Sequence, residues 1–274
     1  MPASYSVSRE LQRRLMMARK TAYQTIRPQR HQSCLFVAGM QRSGTNMVMD
    51  VLEESVNTQV FHETDPRAFS DYELLDHDVL HALVEKSRAG TVVFKALLES
   101  DLIPNLLQEF APARAIWPVR DYRDVVNSAK RSFPHLKRTI QRVVMEPGDY
   151  WQSRGISEET HEILRELYAD DLSIEESAAL FWFARNRLYF EKKMHENKNI
   201  LLTRYEDLVT RPREVFPEIF DFAGIPFHNK HANRVHAGSI ARYPKPVLRN
   251  SISAVCEDLS LLFKGRTAKL GAVI

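Results

Sequence analysis

Leu35-Phe36-Val37-Ala38-Gly39-Met40-Gln41-Arg42-Ser43-Gly44-Thr45-Asn46 passes from an apolar run through a short turn into the helical pattern of Met47, Val48, Val51 and Leu52. A strand, a glycine-bearing turn and a helix in that order put backbone N–H groups around Gly44 and Thr45 at a helix N-terminus. Unpaired donors and the helix dipole favour an anion there. Gly39 and Gly44 have the spacing of a nucleotide P-loop, yet Thr45 stands where such a loop carries lysine and Asn46 where it carries the magnesium-binding Ser/Thr. A nucleoside-triphosphate cradle without those groups lacks its partner for the terminal phosphates and its metal anchor. Arg42, inside the loop, offers a planar cationic fork instead. Taken alone, the segment also fits a tight turn that uses Gly44 only for its backbone freedom.

With 274 residues, 44% of them hydrophobic, the chain can bury a full core, and a soluble globular protein is expected. Its net charge of +3 is unevenly placed. Arg9, Arg13, Arg14, Arg19, Lys20, Arg27 and Arg30 face only Glu10 within residues 1–30, so the rest of the chain is slightly acidic and presents no basic nucleic-acid face. Leu11, Leu15, Ala18 and Ala22 share one face of a helix in this stretch, which predicts a basic amphipathic arm over 1–30 packed on the domain. A weak membrane-surface contact is the alternative. No run of 18 apolar residues and no secretory pattern is present, so no transmembrane segment is expected. Cys34 and Cys256 read as two ordinary thiols in a reducing, cytoplasmic setting. The scattered histidines give no metal site.

Short apolar runs at Leu35–Ala38, Thr58–Phe61, Thr91–Phe94, Ala115–Val119 and Ile200–Thr203 have the length of buried strands, with helical patterns between them. This order predicts an α/β fold with a central, mainly parallel sheet covered on both faces, whose ligands bind beyond the carboxyl ends of the strands. Residues 31–274 are expected to form a single domain. Pro134, Pro147, Gly148 and Gly155 break the alternation, which predicts a helical cap insertion over 132–177. Tyr150, Trp151 and Tyr168 there fit either an acceptor pocket or packing. Ala178–Met194 reads as a long helix with Ala179, Phe183 and Phe190 on a core stripe and Trp182 beside it. Arg185 and Asn186 on it face either the acceptor or the sheet. Pro212 and Gly224 mark a later helix start and stop.

A second anion site is expected at Trp117-Pro118-Val119-Arg120-Asp121-Tyr122-Arg123-Asp124-Val125-Val126-Asn127-Ser128, where an arginine fork at a strand end and a hydroxyl two turns into the next helix converge on one phosphate. A solvated charged helix is the alternative. Together, the Arg42–Asn46 loop, Lys95 at a strand end, the Arg120–Ser128 unit and Tyr205-Glu206-Asp207-Leu208 resemble the sulfotransferases that use 3′-phosphoadenosine 5′-phosphosulfate (PAPS). The match runs over about residues 33–130 and 178–226.

The resemblance implies a P-loop-NTPase-like three-layer α/β/α fold. It also implies transfer of a sulfonyl group to a hydroxyl of a sugar, glycolipid or other alcohol, with adenosine 3′,5′-bisphosphate as product. By resemblance, Arg42, Ser43, Gly44, Thr45 and Asn46 bind the 5′-phosphosulfate, Arg120 and Ser128 the 3′-phosphate, and Tyr205 and Met47 border the adenine. Ser239 or Arg242, in a looser match, adds to the 3′-phosphate. PAPS carries phosphate at two positions of its ribose, which suits two anion sites better than ATP does. A diverged P-loop kinase or NTPase is the rival reading, and a catalytically silent nucleotide-binding protein a third.

Sulfonyl transfer, like phosphoryl transfer, asks the protein to position and to neutralise. Arg42 and Lys95 are the candidates for charge developing on the leaving phosphate, although a guanidinium hardly ever gives up a proton. Relatives acting on phenols and steroids place a histidine two residues after the strand lysine, where this chain has Leu97. Glu63, in Phe61-His62-Glu63-Thr64-Asp65-Pro66, resembles the glutamate of carbohydrate-acting and bacterial members. It is the expected base, with His62 next; a loop-capping role fits the Asp65-Pro66 turn equally.

Overall fold

The computed structural model describes residues 3–29, 32–148, 150–233, 235–238 and 240–270. In chain order the elements are α1 (Ala3–Ile26), β1 (Ser33–Val37), α2 (Thr45–Glu53), β2 (Thr58–Phe61), β3 (Phe69–Ser70), β4 (Glu73–Leu74), α3 (His77–Lys86), β5 (Thr91–Phe94), α4 (Ile103–Glu109), β6 (Ala113–Val119), α5 (Tyr122–Ser132), α6 (Leu136–Met145), α7 (Glu158–Leu167), α8 (Ile174–Glu191), β7 (Ile200–Arg204), α9 (Tyr205–Thr210), α10 (Pro212–Phe222) and α11 (Asn250–Leu270).

Five strands form one sheet in the order β2-β5-β1-β6-β7, and every pairing is parallel. The five apolar runs read from the sequence are these strands. The alternation of side chains along β1 divides the core: Cys34 and Phe36 point into one apolar cluster with α3, α4, α5, α8 and α11, while Leu35 and Val37 point into a second with α2, α9 and α10. Sheet and two helical layers make an α/β/α sandwich. Phe94 stacks between Phe36 and Phe61 across neighbouring strands, with centroids 5.9 and 5.3 Å away. Such pairs add about 0.5–1.5 kcal/mol each beyond burial.

Order β5-β1-β6 places the ends of β1 and β6 side by side, with Val37 opposite Ile116, so the loop after β1 and the turn after β6 open onto the same edge. Local signals start the helices that follow. Asp121 caps α5 by accepting the Arg123 N–H at 2.9 Å, and Ser173 with Glu176 forms a capping box on α8. Pro212 opens α10, and Gly224, with φ of 69°, follows its end.

Helix α8 departs from the expected single stripe: residues 176–186 are buried all round, Arg185 and Asn186 included. It is the layer onto which α5, α6 and α11 pack, so it has no solvent face along that stretch. Residues 132–177, expected as a cap, also pack on the body, since Leu136, Ile140, Val143, Val144 and Leu164 belong to the same apolar cluster as Phe36. Helix α1 also differs from expectation. It is docked, but its Leu11, Leu15, Ala18 and Ala22 face is exposed and its polar face meets the domain.

Candidate functional site

The loop after β1 owes its path to two positive-φ glycines. At Gly39 (φ 101°) a Cβ would lie 3.2 Å from the Pro118 carbonyl oxygen; at Gly44 (φ 95°) it would lie 2.4 Å from the Tyr205 ring. Only glycine lets the backbone come this close. Buried Ser100 ties the loop's start from below: its Oγ accepts the Gly39 N–H at 2.9 Å and lies 3.0 Å from the Gly39 carbonyl. Gly44 caps α2, so the N-terminal turn of that helix presents Thr45 and Asn46.

A cleft of about 350 Å³ opens above this turn, lined by Arg42, Gly44, Thr45, Asn46, Met47, Arg120, Asp124, Ser128, Arg131, Tyr205, Arg242 and Tyr243. Four arginines and one carboxylate surround it, so its chemistry is that of an anion site. Arg42, itself at φ 69°, donates from Nε to Ser128 Oγ at 2.7 Å. Its pKa is lowered by burial and by the nearby Arg120 and Arg131 charges. Arg120 lies with its guanidinium 4.2 Å from the Tyr205 ring centroid and 3.5 Å from Asp124 Oδ2. Its carbonyl accepts the buried Trp182 indole N–H at 3.2 Å, which anchors the strand end to α8.

Asp124 Oδ2 also accepts the Ala241 N–H at 3.1 Å, and Asn127 Nδ2 donates to the Pro244 carbonyl at 3.0 Å. These bonds hold the segment after residue 240 against α5, bringing Arg242 and Tyr243 to the cleft. The Tyr243 ring lies 3.8 Å from the Arg131 guanidinium. Glu206, of the Tyr205–Leu208 motif, accepts the Asp121 N–H at 2.9 Å and so stitches α9 to the β6–α5 turn.

Beside the cleft, Asn46 leads to a second group. Lys95, 3% exposed, donates from Nζ to Asn46 Oδ1 at 2.5 Å and to Glu63 Oε1 at 2.7 Å. Burial lowers the Lys95 pKa, against the opposing pull of Glu63. His62 turns the other way. Its Nε2 lies 3.6 Å from Glu53 Oε1, and Glu53 also takes a bidentate contact from Arg13. Burial of Glu53 would raise its pKa, but pairing with His62 and Arg13 holds it at about 2.

Of the residues picked out from sequence, Arg42, Gly44, Thr45, Asn46, Met47, Arg120, Ser128, Tyr205 and Arg242 meet around the cleft. Glu63 and Lys95 meet each other at its Asn46 end. Ser43 is fully buried and absent from the lining, its Oγ without a hydrogen-bond partner. Arg42 was expected at the 5′ end of a donor, but its side chain reaches Ser128, the residue assigned to the 3′ end. Ser239 lies outside the described residues. Tyr150, Trp151 and Tyr168 contact α6, α8 and Asp170. Asp124, Arg131 and Tyr243 were missed, although Asp124, Ser128 and Arg131 share the i, i+4, i+7 face of α5.

A family model described as the sulfotransferase domain matches residues 32–250, most of the chain. The chain belongs to the sulfotransferase family. No curated protein matches it. Among solved structures, this sulfotransferase is similar to the sulfotransferase domain from the curacin biosynthetic pathway, at 17% identity over 85% of this chain and 99% of that one, with a TM-score of 0.46. It is also similar to a sulfotransferase from Alicyclobacillus acidocaldarius, at 14% identity over 88% and 94% of the two chains, TM-score 0.45. A third is mouse sulfotransferase SULT7A1 complexed with PAP, at 17% identity over 77% and 66%, TM-score 0.41. Among the described residues of this sulfotransferase, no group of three or more His, Cys, Asp and Glu is placed to hold a metal ion.

Proposed function

We propose that this sulfotransferase moves the sulfonyl group of PAPS to a hydroxyl of a sugar, glycolipid or other alcohol, without a metal. The observation that carries the reading is the cleft with four arginines and one carboxylate, continuous through Asn46 with the Lys95–Glu63 pair. The residues present fit a nucleotide with two separate phosphates. Arg120, Ser128, Arg131 and Arg242 surround one end, while the α2 N-terminus with Thr45 and Asn46 forms the other. Tyr205 and Met47 supply the apolar border a base requires.

The donor supplies the sulfonyl group, whose bond to the 5′-phosphate oxygen breaks as the acceptor oxygen bonds to sulfur. Glu63 takes the proton of the acceptor hydroxyl. Lys95, with its lowered pKa, neutralises the leaving phosphate and can hand it a proton, which the guanidinium of Arg42 cannot. In the structure Lys95 and Glu63 satisfy each other. A phosphate reaching Lys95 competes for that cation and frees the carboxylate to face the acceptor. Arg42 holds Ser128 until the nucleotide takes its place between them.

Thermal-shift titration tests the donor class. Adenosine 3′,5′-bisphosphate at about 100 times its Kd is expected to stabilise the protein by about 2.7 kcal/mol, and ATP with magnesium by much less. Stabilisation by ATP with magnesium alone would refute the assignment and favour a drifted NTPase.

A further inference from the structure

Helix α1 is held by its polar side. Arg13 makes the bidentate contact with Glu53, and the ammonium of Lys20, 4% exposed, donates to the Glu53 carbonyl at 2.8 Å and to Thr58 Oγ1 at 3.0 Å. Gln24 Nε2 donates to the Val56 and Thr58 carbonyls, each at 2.9 Å. At about 100° per residue, Leu11, Leu15, Ala18, Ala22 and Ile26 fall on the opposite side of the helix. They are exposed: Leu11 by 57%, Leu15 by 62% and Ile26 by 78%. A helix packed on its own domain normally buries its apolar stripe and shows water the polar one. Here the order is reversed, and the stripe runs about 22 Å along the surface at 1.5 Å per residue.

We propose that α1 seats the protein on an anionic membrane surface, lying in the plane of the interface with this stripe at the acyl boundary. The domain is carried above it by Arg13, Lys20 and Gln24. Charge selects this occupant. Residues 1–30 hold seven Lys/Arg against Glu10, in a chain whose whole excess is +3, so a basic arm extends from an acidic body. Arg14 and Arg19, both exposed, border the stripe on its two sides. Lipid phosphates meet those borders with opposite charge. A second copy joined face to face through the same stripe would bring arginine borders against arginine borders. No described helix is long and apolar enough to cross a membrane, so the contact is in the surface plane.

Co-sedimentation of the full chain with lipid vesicles tests this, using phosphatidylcholine alone and phosphatidylcholine with about three parts in ten of phosphatidylglycerol. The protein is expected to pellet with the anionic vesicles only. Leu11→Glu with Leu15→Glu should weaken that binding about tenfold or more while leaving the melting temperature and bisphosphate binding unchanged. Arg19→Glu should cause a smaller loss. Failure to bind anionic vesicles, equal binding to neutral ones, or undiminished binding by the double variant would overturn the proposal. A dimer by light scattering that the double variant dissociates, without vesicle binding, would assign the stripe to a second copy. Vesicle binding, melting temperature and light scattering use neither the nucleotide nor sulfonyl transfer, so they stand or fall apart from the reading of the cleft.

Discussion

Glu63 and Lys95 form an ion pair at 2.7 Å in which the cation is buried and the carboxylate is about a quarter exposed. If Glu63 takes the acceptor proton, Glu63→Gln keeps the shape and removes the base. The turnover number should fall by roughly 10² to 10⁴, with bisphosphate affinity nearly unchanged. Steady-state kinetics beside calorimetry checks this, and an unaltered rate would remove Glu63 from that role. Arg120 tests the other end. Arg120 and Ser128 both line the cleft, so Arg120→Ala should weaken adenosine 3′,5′-bisphosphate roughly ten- to a hundredfold and adenosine 5′-phosphate much less. Equal losses would contradict its place at the 3′-phosphate. Arginine at a strand end and serine two turns on were readable as residue types. Asp124 was not, because its value lies in a backbone N–H delivered from Ala241, far away in the chain.

At the scale of the element, the turn joining β1 to α2 is a single steric solution. Gly44 sits at φ 95° with the Tyr205 ring where a Cβ would be. Gly44→Ala therefore meets both a left-handed backbone and a ring of the neighbouring motif. A loss of about 1–3 kcal/mol in denaturant unfolding, together with lost bisphosphate binding, is expected. Little change in either would mean that the Tyr205–Gly44 contact is not what shapes the pocket. The five strands were legible because buried parallel strands are short, apolar and bounded by breaks. The character of α8 was less so: periodicity predicted one core stripe, whereas packing from several directions buries the helix all round. An amphipathic pattern likewise located α1 but misled about its docked side, since hydrogen-bonded Lys20 and Gln24 hold it to the domain.

Across the protein, His231 and Glu53 are two buried groups whose share of stability is lost in acid. Burial, aided by neighbouring His228, Lys230 and Lys20, pushes His231 down to about 4 from 6.5, and its Nδ1 accepts the His228 N–H at 3.2 Å. The unfolded chain binds that proton at higher pH than the folded one. The share of stability that His231 contributes is thus full above pH 6.5 and declines as pH falls toward 4. Glu53, held at about 2 against an ordinary 4.5, adds stability above 4.5 that is lost as pH falls toward 2. Melting temperatures should therefore drop most clearly from pH 4.5 toward 2, and less between 6.5 and 4.5, where Glu99, pushed by burial up to about 7 from 4.5, gains stability as pH falls and works against the His231 loss. His231→Asn, which keeps an acceptor but does not titrate, should flatten the upper decline, and Glu53→Gln the lower; unchanged profiles would refute the coupling. The linear order of the chain was enough to read the strands, the glycine turn after β1, the family and most residues that line the cleft, because each rests on local spacing or residue chemistry. Only the tertiary structure decided that Arg42 reaches Ser128, that Lys95 joins Asn46 to Glu63, that Arg131 and Asp124 enter the site, and which side of α1 meets water. Those contacts join segments distant in the chain, and they form where side-chain reach, burial and charge pairing are resolved together.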